Sequence, residues 1–158
     1  MAPLEAGLDR LARPPRRVLD LGTGTGLGAF AIARRFPQAE VLGADVSERM
    51  IEEARDNVPS ELRDRVRFEV ADGSQLPYGD ESFDLVAHAN MFPFFDELDR
   101  VLAPDGYALF SFSGGASTPI YVPSERLGEE LGRRGFTDFA HFPAGSGTGF
   151  LARKRERA

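Results

Sequence analysis

The chain has 158 residues, of which 42% are hydrophobic and 28% charged, and its formal net charge is −6 at pH 7. This composition is typical of a globular domain, and no apolar run reaches the roughly 20 residues that cross a membrane. The acidic charge argues against nucleic acid as a partner, and the absence of cysteine excludes disulfides and thiolate metal sites. The first residues lack the pattern of a signal peptide, so we expect a cytoplasmic protein.

Short apolar runs alternate with helix-like segments, as in a parallel sheet with crossover helices. A lead helix (Leu4 to Ala12) and linker are predicted within residues 1–16 and a frayed tail over 154–158, and the whole of 1–158 is interpreted as one domain. The predicted strands are Arg17–Leu21, Glu40–Asp45, Val66–Ala71, Phe83–His88, Tyr107–Phe112, Thr137–Phe142 and Thr148–Arg153. The predicted helices between them are Leu27–Phe36, one capped by Ser47, a short one over Ser60–Asp64, Phe94–Leu102 and one capped by Ser124.

A glycine-rich turn that contains Gly22, Thr23, Gly24 and Gly26 follows the first strand. Glycines at this place let the backbone approach a ligand closely, so the segment predicts a nucleotide-cofactor cradle. The spacing also satisfies the loose dinucleotide fingerprint, which keeps a nicotinamide or flavin site as an alternative. Asp20 at the strand end counts against that alternative, because a carboxylate repels a pyrophosphate and tolerates a cationic ligand.

Two further carboxylates follow the next strands. Asp45 ends the second strand, where it can accept both hydroxyls of a ribose or serve as a favourable charge near a helix N-terminus. The ribose role does not separate an adenosine cofactor from NAD, since both carry the diol. Asp72 and Gly73 come directly after the third strand, where an isolated acid would more often be solvated than functional.

These motifs, in this order, resemble the class I S-adenosylmethionine-dependent methyltransferases that act on small molecules. The resemblance rests on Asp20–Gly26, Asp45, Asp72-Gly73, the run from Leu76 to Val86, and the helix and turn over Glu97–Gly106, in which Asp105 replaces a usual glycine. It implies an α/β, Rossmann-like fold. The expected sheet has seven mostly parallel strands, with the last strand antiparallel and helices on both faces.

The resemblance also implies S-adenosylmethionine as cofactor and S-adenosylhomocysteine as product. In the family, an acid at the position of Asp72 accepts from the adenine amino group, and the next backbone N–H meets the ring. Val46 and Met50 are expected beside the adenine, although Met50 is equally explained as helix core. The predicted cofactor-binding set is Asp20, Gly22, Thr23, Gly24, Gly26, Asp45, Val46, Met50, Asp72, Gly73 and His88.

His88, at the end of the fourth strand, is the candidate catalytic residue, because an imidazole with a pKa of about 6.5 can serve as a general base. The alternatives are a lining or a packing role. Asn90, Phe92 and Tyr121 are the predicted acceptor contacts. Asn90 lacks the following proline of the amino-methyltransferase motif, so that chemistry is not carried over. The apolar cluster Met91, Phe92, Phe94 and Phe95 beside the expected active site either anchors the next helix or forms an acceptor pocket or a subunit contact.

We therefore expect a methyltransferase for a small, apolar acceptor, without a metal and without a nucleic-acid or membrane partner. The Gly- and Ser-rich loop Ser113–Val122 is a candidate mobile lid. Otherwise the acceptor site is open, vestigial, or completed by a homo-oligomer or a partner chain. The alternative function is a non-catalytic or partner-dependent S-adenosylmethionine-binding subunit.

Overall fold

The computed structural model describes residues 1–117 and 120–155. The strands are β1 (Arg17–Leu21), β2 (Glu40–Asp45), β3 (Val66–Val70), β4 (Phe83–Ala89), β5 (Leu102–Phe112), β6 (Phe136–Ala144) and β7 (Gly147–Lys154). The helices of this part of the chain are α1 (Ala2–Leu8), α2 (Leu27–Arg35), α3 (Glu48–Asn57), α4 (Phe95–Val101) and α5 (Ser124–Arg133), with short 3-10 turns at Ser60–Leu62 and Gly115–Ser117. None of these helices is long and apolar enough to span a membrane.

The seven strands form one sheet in the order β3-β2-β1-β4-β5-β7-β6. The first five are parallel to their neighbours, whereas β7 runs antiparallel to both β5 and β6. Leu21 at the end of β1 pairs with Ala44 on one side and His88 on the other, so the carboxyl ends of the central strands meet at one edge. The predicted fold class is confirmed.

Alternating side chains of the strands supply two hydrophobic cores, one on each face of the sheet. On one face, Val18 belongs to the core that α1, α2 and α3 cover. On the other face, Leu19 belongs to the core that α4 and α5 cover. The apolar runs of the central strands are therefore buried on both sides, as a parallel sheet requires.

Several predicted boundaries change. The lead helix covers Ala2–Leu8 rather than Leu4 to Ala12. β5 begins at Leu102 rather than Tyr107, because Leu102 pairs with Phe83 ahead of a register shift. Asp105 lies within this irregular stretch at φ +74°, the left-handed conformation that Asp tolerates.

Two predictions near helix and chain ends are also corrected. Pro123 rather than Ser124 is the N-cap of α5, and Ser124 is its first residue. Lys154, assigned to a frayed tail, is the buried last residue of β7. Its ammonium donates to the carbonyl oxygens of Asp99 and Leu102 at the end of α4, which removes it from solvent. Residues 156–158 of the predicted tail and 118–119 of the predicted lid lie outside the described residues.

Candidate cofactor site

A cavity of about 260 Å³ lies at the carboxyl ends of β1 to β4. A larger groove of about 550 Å³, beside Arg17, Glu40 and Tyr78, contains none of the predicted cofactor-binding residues. The site of interest is therefore the smaller cavity. Its lining comes from all four strand ends and comprises Leu21, Gly22, Ala44, Asp45, Val46, Ala71, Gly73, Ala89, Asn90 and Met91.

The glycine-rich turn is held against the end of β2. The backbone N–H groups of Gly22 and Thr23 donate to the carbonyl oxygen of Ala44, at 2.9 and 3.1 Å. Gly22 has φ +72°, a conformation that side-chain-bearing residues rarely adopt. Gly26 ends the turn as the N-cap of α2, and a Cβ there would lie 2.8 Å from the Phe68 ring. Gly22 thus faces the cavity, whereas Gly26 is explained by packing beneath it.

Asp45 connects the glycine turn to α3. One carboxylate oxygen accepts the N–H of Gly24 at 3.0 Å, and the other accepts the N–H of Ser47 at 3.0 Å. The Ser47 hydroxyl in turn accepts the N–H of Met50, which is the predicted helix cap. Because a carboxylate oxygen has two lone pairs, both Asp45 oxygens keep an acceptor site for a ligand on the cavity wall.

Asp20 lies on the far side of the glycine turn and does not line the cavity. It is 1% exposed, and one of its oxygens accepts the Thr23 hydroxyl at 2.8 Å. The other oxygen has no hydrogen-bond partner among the described residues. Both oxygens lie within 4 Å of the position that a Cβ on Gly28 would take, so the carboxyl group is packed against α2. The pKa of Asp20 is raised to about 7. Burial is the largest cause, the Thr23 hydrogen bond acts in the opposite direction, and the nearby Asp45 charge adds a smaller increase.

Asp72 and Gly73 occupy different places in the turn after β3. Gly73 lines the cavity, whereas the exposed Asp72 carboxylate accepts the hydroxyl and the N–H of Ser74, at 2.7 and 2.9 Å. These two donors hold the pKa of Asp72 below its usual range. The carboxylate is therefore ionised, but it is not among the groups that line the cavity. In the same region, Val46 is 68% exposed and Met50 is 39% exposed, so both predicted adenine neighbours are accessible.

His88 points into the core below the site. Its ring is 2% exposed and stacks on Phe110, with ring centroids 4.6 Å apart. Its Nδ1 has no hydrogen-bond partner in the described part of the chain, and burial lowers the pKa of the imidazole to about 3. His88 is also absent from the cavity lining. These observations favour the packing alternative over a general base or a cofactor contact.

Of the predicted acceptor contacts, the structure brings Asn90 to the cavity. Asn90 has φ +50°, and its side-chain oxygen accepts the N–H of Ser113 at 2.9 Å, which joins the loops after β4 and β5. Phe92 is 46% exposed and packs edge-on against Phe94. Tyr121 lies apart from the cavity lining, where its ring contacts Phe112 in the core around α5.

Met91 lines the cavity. The sequence placed it in the apolar cluster beside the expected active site but not among the predicted cofactor or acceptor contacts. Its position just after a central strand, where ligand-binding loops of open α/β sheets occur, was the signal for a direct role. Among the described residues, no cluster of His, Asp and Glu side chains has the arrangement of a metal site. The cavity is thus formed by backbone turns, one half-buried carboxylate and apolar side chains.

Comparison with known proteins identifies this arrangement. A family profile described as "Methyltransferase domain" matches residues 18–106, from β1 into β5. The demethylmenaquinone methyltransferase of Deinococcus radiodurans is 41% identical over 108 residues, which are 64% of this chain and 44% of that protein. The malonyl-[acyl-carrier protein] O-methyltransferase of Methylococcus capsulatus is 38% identical over 121 residues, which are 72% of this chain and 43% of that protein. The chain thus spans less than half the length of these relatives.

A solved structure extends the likeness in fold to nearly the whole chain. The complex between the Haloferax volcanii Trm112 methyltransferase activator and a methyltransferase matches 99% of this chain and 90% of the matched one, with a TM-score of 0.82 and 17% identity. At that identity the likeness concerns the fold alone. Because the family profile covers more than half of the residues, the chain belongs to the class I S-adenosylmethionine-dependent methyltransferases.

Proposed function

We propose that this domain binds S-adenosylmethionine in the cavity at the carboxyl ends of β1 to β4 and transfers its methyl group to a small, apolar acceptor. The observation that carries the proposal is Asp45, whose two oxygens each accept one backbone hydrogen bond and keep a second acceptor site. A ribose diol offers two donors that match these sites.

The charges around the glycine turn fit a cationic cofactor. Asp45 lies on the cavity wall, and the exposed Asp72, which directly precedes the lining residue Gly73, is ionised. Opposite charge favours binding of a sulfonium and an ammonium, whereas the same carboxylates repel a pyrophosphate. This arrangement supports an adenosine cofactor without phosphates over a nicotinamide dinucleotide.

When bound, S-adenosylmethionine supplies a methyl group on a positively charged sulfur, which is already an activated leaving group. The protein's contribution is then orientation and exclusion of water. Asp45 and the backbone at Gly73 orient the cofactor, while Val46 and Met50 cover its apolar surface. Asn90 holds the loops after β4 and β5 together where the acceptor enters.

We assign no proton transfer to His88. Its ring is buried, stacked and neutral near pH 7, so it reaches neither solvent nor the cavity. Among the residues that line the cavity, Asp45 is the one ionisable side chain, so a proton that the acceptor loses on methyl transfer would pass to solvent water rather than to His88.

Exposed apolar side chains at the same edge support an apolar acceptor. Phe92 follows β4, and Leu27 begins α2 directly after the glycine turn; both are exposed. Demethylmenaquinone, the acceptor in the name of the Deinococcus relative, is the first compound to test.

Calorimetric titration with S-adenosylmethionine and S-adenosylhomocysteine tests the cofactor site. Asp45→Asn preserves the shape but removes the charge, so we expect at least about tenfold weaker binding, from about 1.5–3 kcal/mol for hydrogen bonds to a charged group. Asp56→Asn, on the exposed side of α3, is the matched control and should bind like the unchanged protein. Equal affinity of both variants would contradict the Asp45 role.

Transfer of labelled methyl to a panel of quinol precursors, acyl thioesters and other small acceptors tests the activity. A second candidate function is a cofactor-binding subunit that needs a partner chain for transfer. Cofactor binding without transfer by the isolated chain, followed by transfer once a partner is added, would establish that alternative. The cytoplasmic location and the single-domain organisation stay predictions, which cell fractionation and limited proteolysis check.

A further inference from the structure

The Met91 side chain spans the cofactor cavity from one turn to another. Its Cβ and Sδ lie 3.2 and 3.3 Å from the position that a Cβ on Gly22 would take. Its Cε lies 3.0 Å from the corresponding position on Gly73. The side chain therefore connects the turn after β1 with the turn after β3, across the space between them.

Because Met91 lies close to both turns, it leaves little space for a side chain at position 22 or 73. A Cβ at position 22 would make tight contacts with Met91 and with the carbonyl oxygen of Ala89, which lies 3.0 Å from the same point. A Cβ at position 73 would make tight contacts with Met91 and with the Phe94 ring, also at 3.0 Å. Glycine at both positions makes room for Met91 as well as for a ligand.

The free volume beside Met91 is small for the proposed cofactor. The cavity measures about 260 Å³. Pockets for ligands of this size usually measure about 300–1,000 Å³ and bury most of the ligand. Met91 is an unbranched side chain with three rotatable bonds, which can change conformation without backbone movement.

We propose that Met91 is a built-in occupant of the cofactor cavity, which S-adenosylmethionine displaces on binding. This inference rests on the proposed function, because it takes the cavity as the cofactor site. The apparent affinity for the cofactor then equals the intrinsic affinity multiplied by the fraction of molecules in which Met91 leaves the cavity open. Met91 acts as a positioning residue that sets cofactor affinity without taking part in the chemistry.

Methyl NMR tests the displacement in the unchanged protein. The chain has three methionines, so labelling of the methionine methyl carbons gives three assignable signals, from Met1, Met50 and Met91. We expect a cross-peak between the Met91 methyl and the Gly73 α-protons in the free protein. Saturation with S-adenosylhomocysteine should abolish this cross-peak while the Met1 signal stays in place. A cross-peak that persists at saturation would overturn the proposal.

Affinity measurements on variants supply the second test. Met91→Ala should bind S-adenosylhomocysteine more tightly, about tenfold if the cavity is open in about 10% of molecules. Met91→Leu keeps about the same volume but is branched and moves aside less easily, so it should bind S-adenosylhomocysteine more weakly than Met91→Ala. Thermal unfolding of each variant verifies that it is folded.

The outcomes separate this proposal from the cofactor proposal. Binding by the unchanged protein with equal or weaker binding by Met91→Ala would overturn the displacement and leave the cofactor site intact. Absence of binding in the unchanged protein and in both folded variants would overturn both proposals. Tighter binding by Met91→Ala together with loss of the cross-peak supports both.

Discussion

Asp20 and His88 lie on neighbouring strands and are both buried, yet burial acts on them in opposite directions. Removal from water disfavours the charged form of each group. Asp20 therefore retains its proton to a higher pH, whereas His88 loses its proton at a lower pH. Asp20 faces the helices α1 and α2, and His88 stacks on Phe110 in the core of the other face.

Asp20→Asn should change how stability depends on pH. The unfolded chain releases the Asp20 proton near 3.8, whereas the folded protein holds it to about 7. Between these values the folded state binds more protons, so the free energy of unfolding falls as pH rises, and the full loss is reached above about pH 7. Asparagine does not titrate, so the variant should keep the free energy of unfolding that the unchanged protein loses over this pH range, at most about 4 kcal/mol. Urea unfolding of both proteins from pH 4 to 8 measures the difference, and parallel curves would contradict the raised pKa.

His88→Phe should remove an acid sensitivity of opposite sign. The unfolded imidazole gains its proton below about 6.5, whereas the buried ring stays neutral down to about 3. The stability present above about pH 6.5 is therefore lost as pH falls through this interval. A Phe ring can still stack on Phe110, so we expect less loss between pH 7 and 4 and unchanged S-adenosylhomocysteine affinity by calorimetry. His141→Gln on the exposed face of β6 is the control. If His88→Phe lowered methyl transfer but bound the cofactor normally, the result would support a general-base role for His88.

At the scale of elements, the connection from β3 to β4 contains no α-helix and depends on one arginine. Arg100 on α4 donates to the carbonyl oxygens of Leu76 and Tyr78, at 3.0 and 2.7 Å. It also pairs with Glu97, whose carboxylate accepts the N–H of Leu76 at 2.7 Å. This network holds the segment that carries Gly73, so α4 supports the cofactor cavity from a distance.

Arg100→Lys should loosen that segment. A lysine retains the charge but cannot bond both carbonyl oxygens and the carboxylate at once, because it lacks the planar fork of donors. We expect faster amide hydrogen exchange over residues 72–80 and several-fold weaker cofactor binding, with α2 exchange unchanged. Arg126→Lys on the exposed side of α5 is the matched control. Unchanged exchange over 72–80 would show that other contacts hold the segment.

At the scale of the whole molecule, the chain carries a net charge of −6, and the Asp45 side chain lies on the cavity wall beside the glycine turn. S-adenosylmethionine has one more positive charge than S-adenosylhomocysteine. We expect its affinity to fall about threefold more between 0.05 and 0.5 M salt, since salt screens attraction between charges at accessible sites. Calorimetry of both ligands across this range measures the effect. Equal salt dependence would show that the carboxylates do not act on the sulfonium.

Local patterns were sufficient for the order of elements. Apolar runs with glycine and proline boundaries marked every strand of the sheet, and Ser47 marked the start of α3, because these signals act over a few residues. They failed at the start of β5. The strand includes the predicted turn before Tyr107, because Leu102 pairs with Phe83. They failed again at Lys154, which is buried only because α4 ends beside β7.

By itself, the sequence determined the fold class, the glycine turn and the carboxylate at the end of β2, since each depends on residue type and spacing along the chain. Only the tertiary structure decided that Asp20 and His88 lie outside the cavity, that Tyr121 packs against the core around α5, and that Met91 fills the space between Gly22 and Gly73. These facts depend on which helices cover each face of the sheet. They also depend on contacts between residues far apart in the chain, which no local pattern encodes.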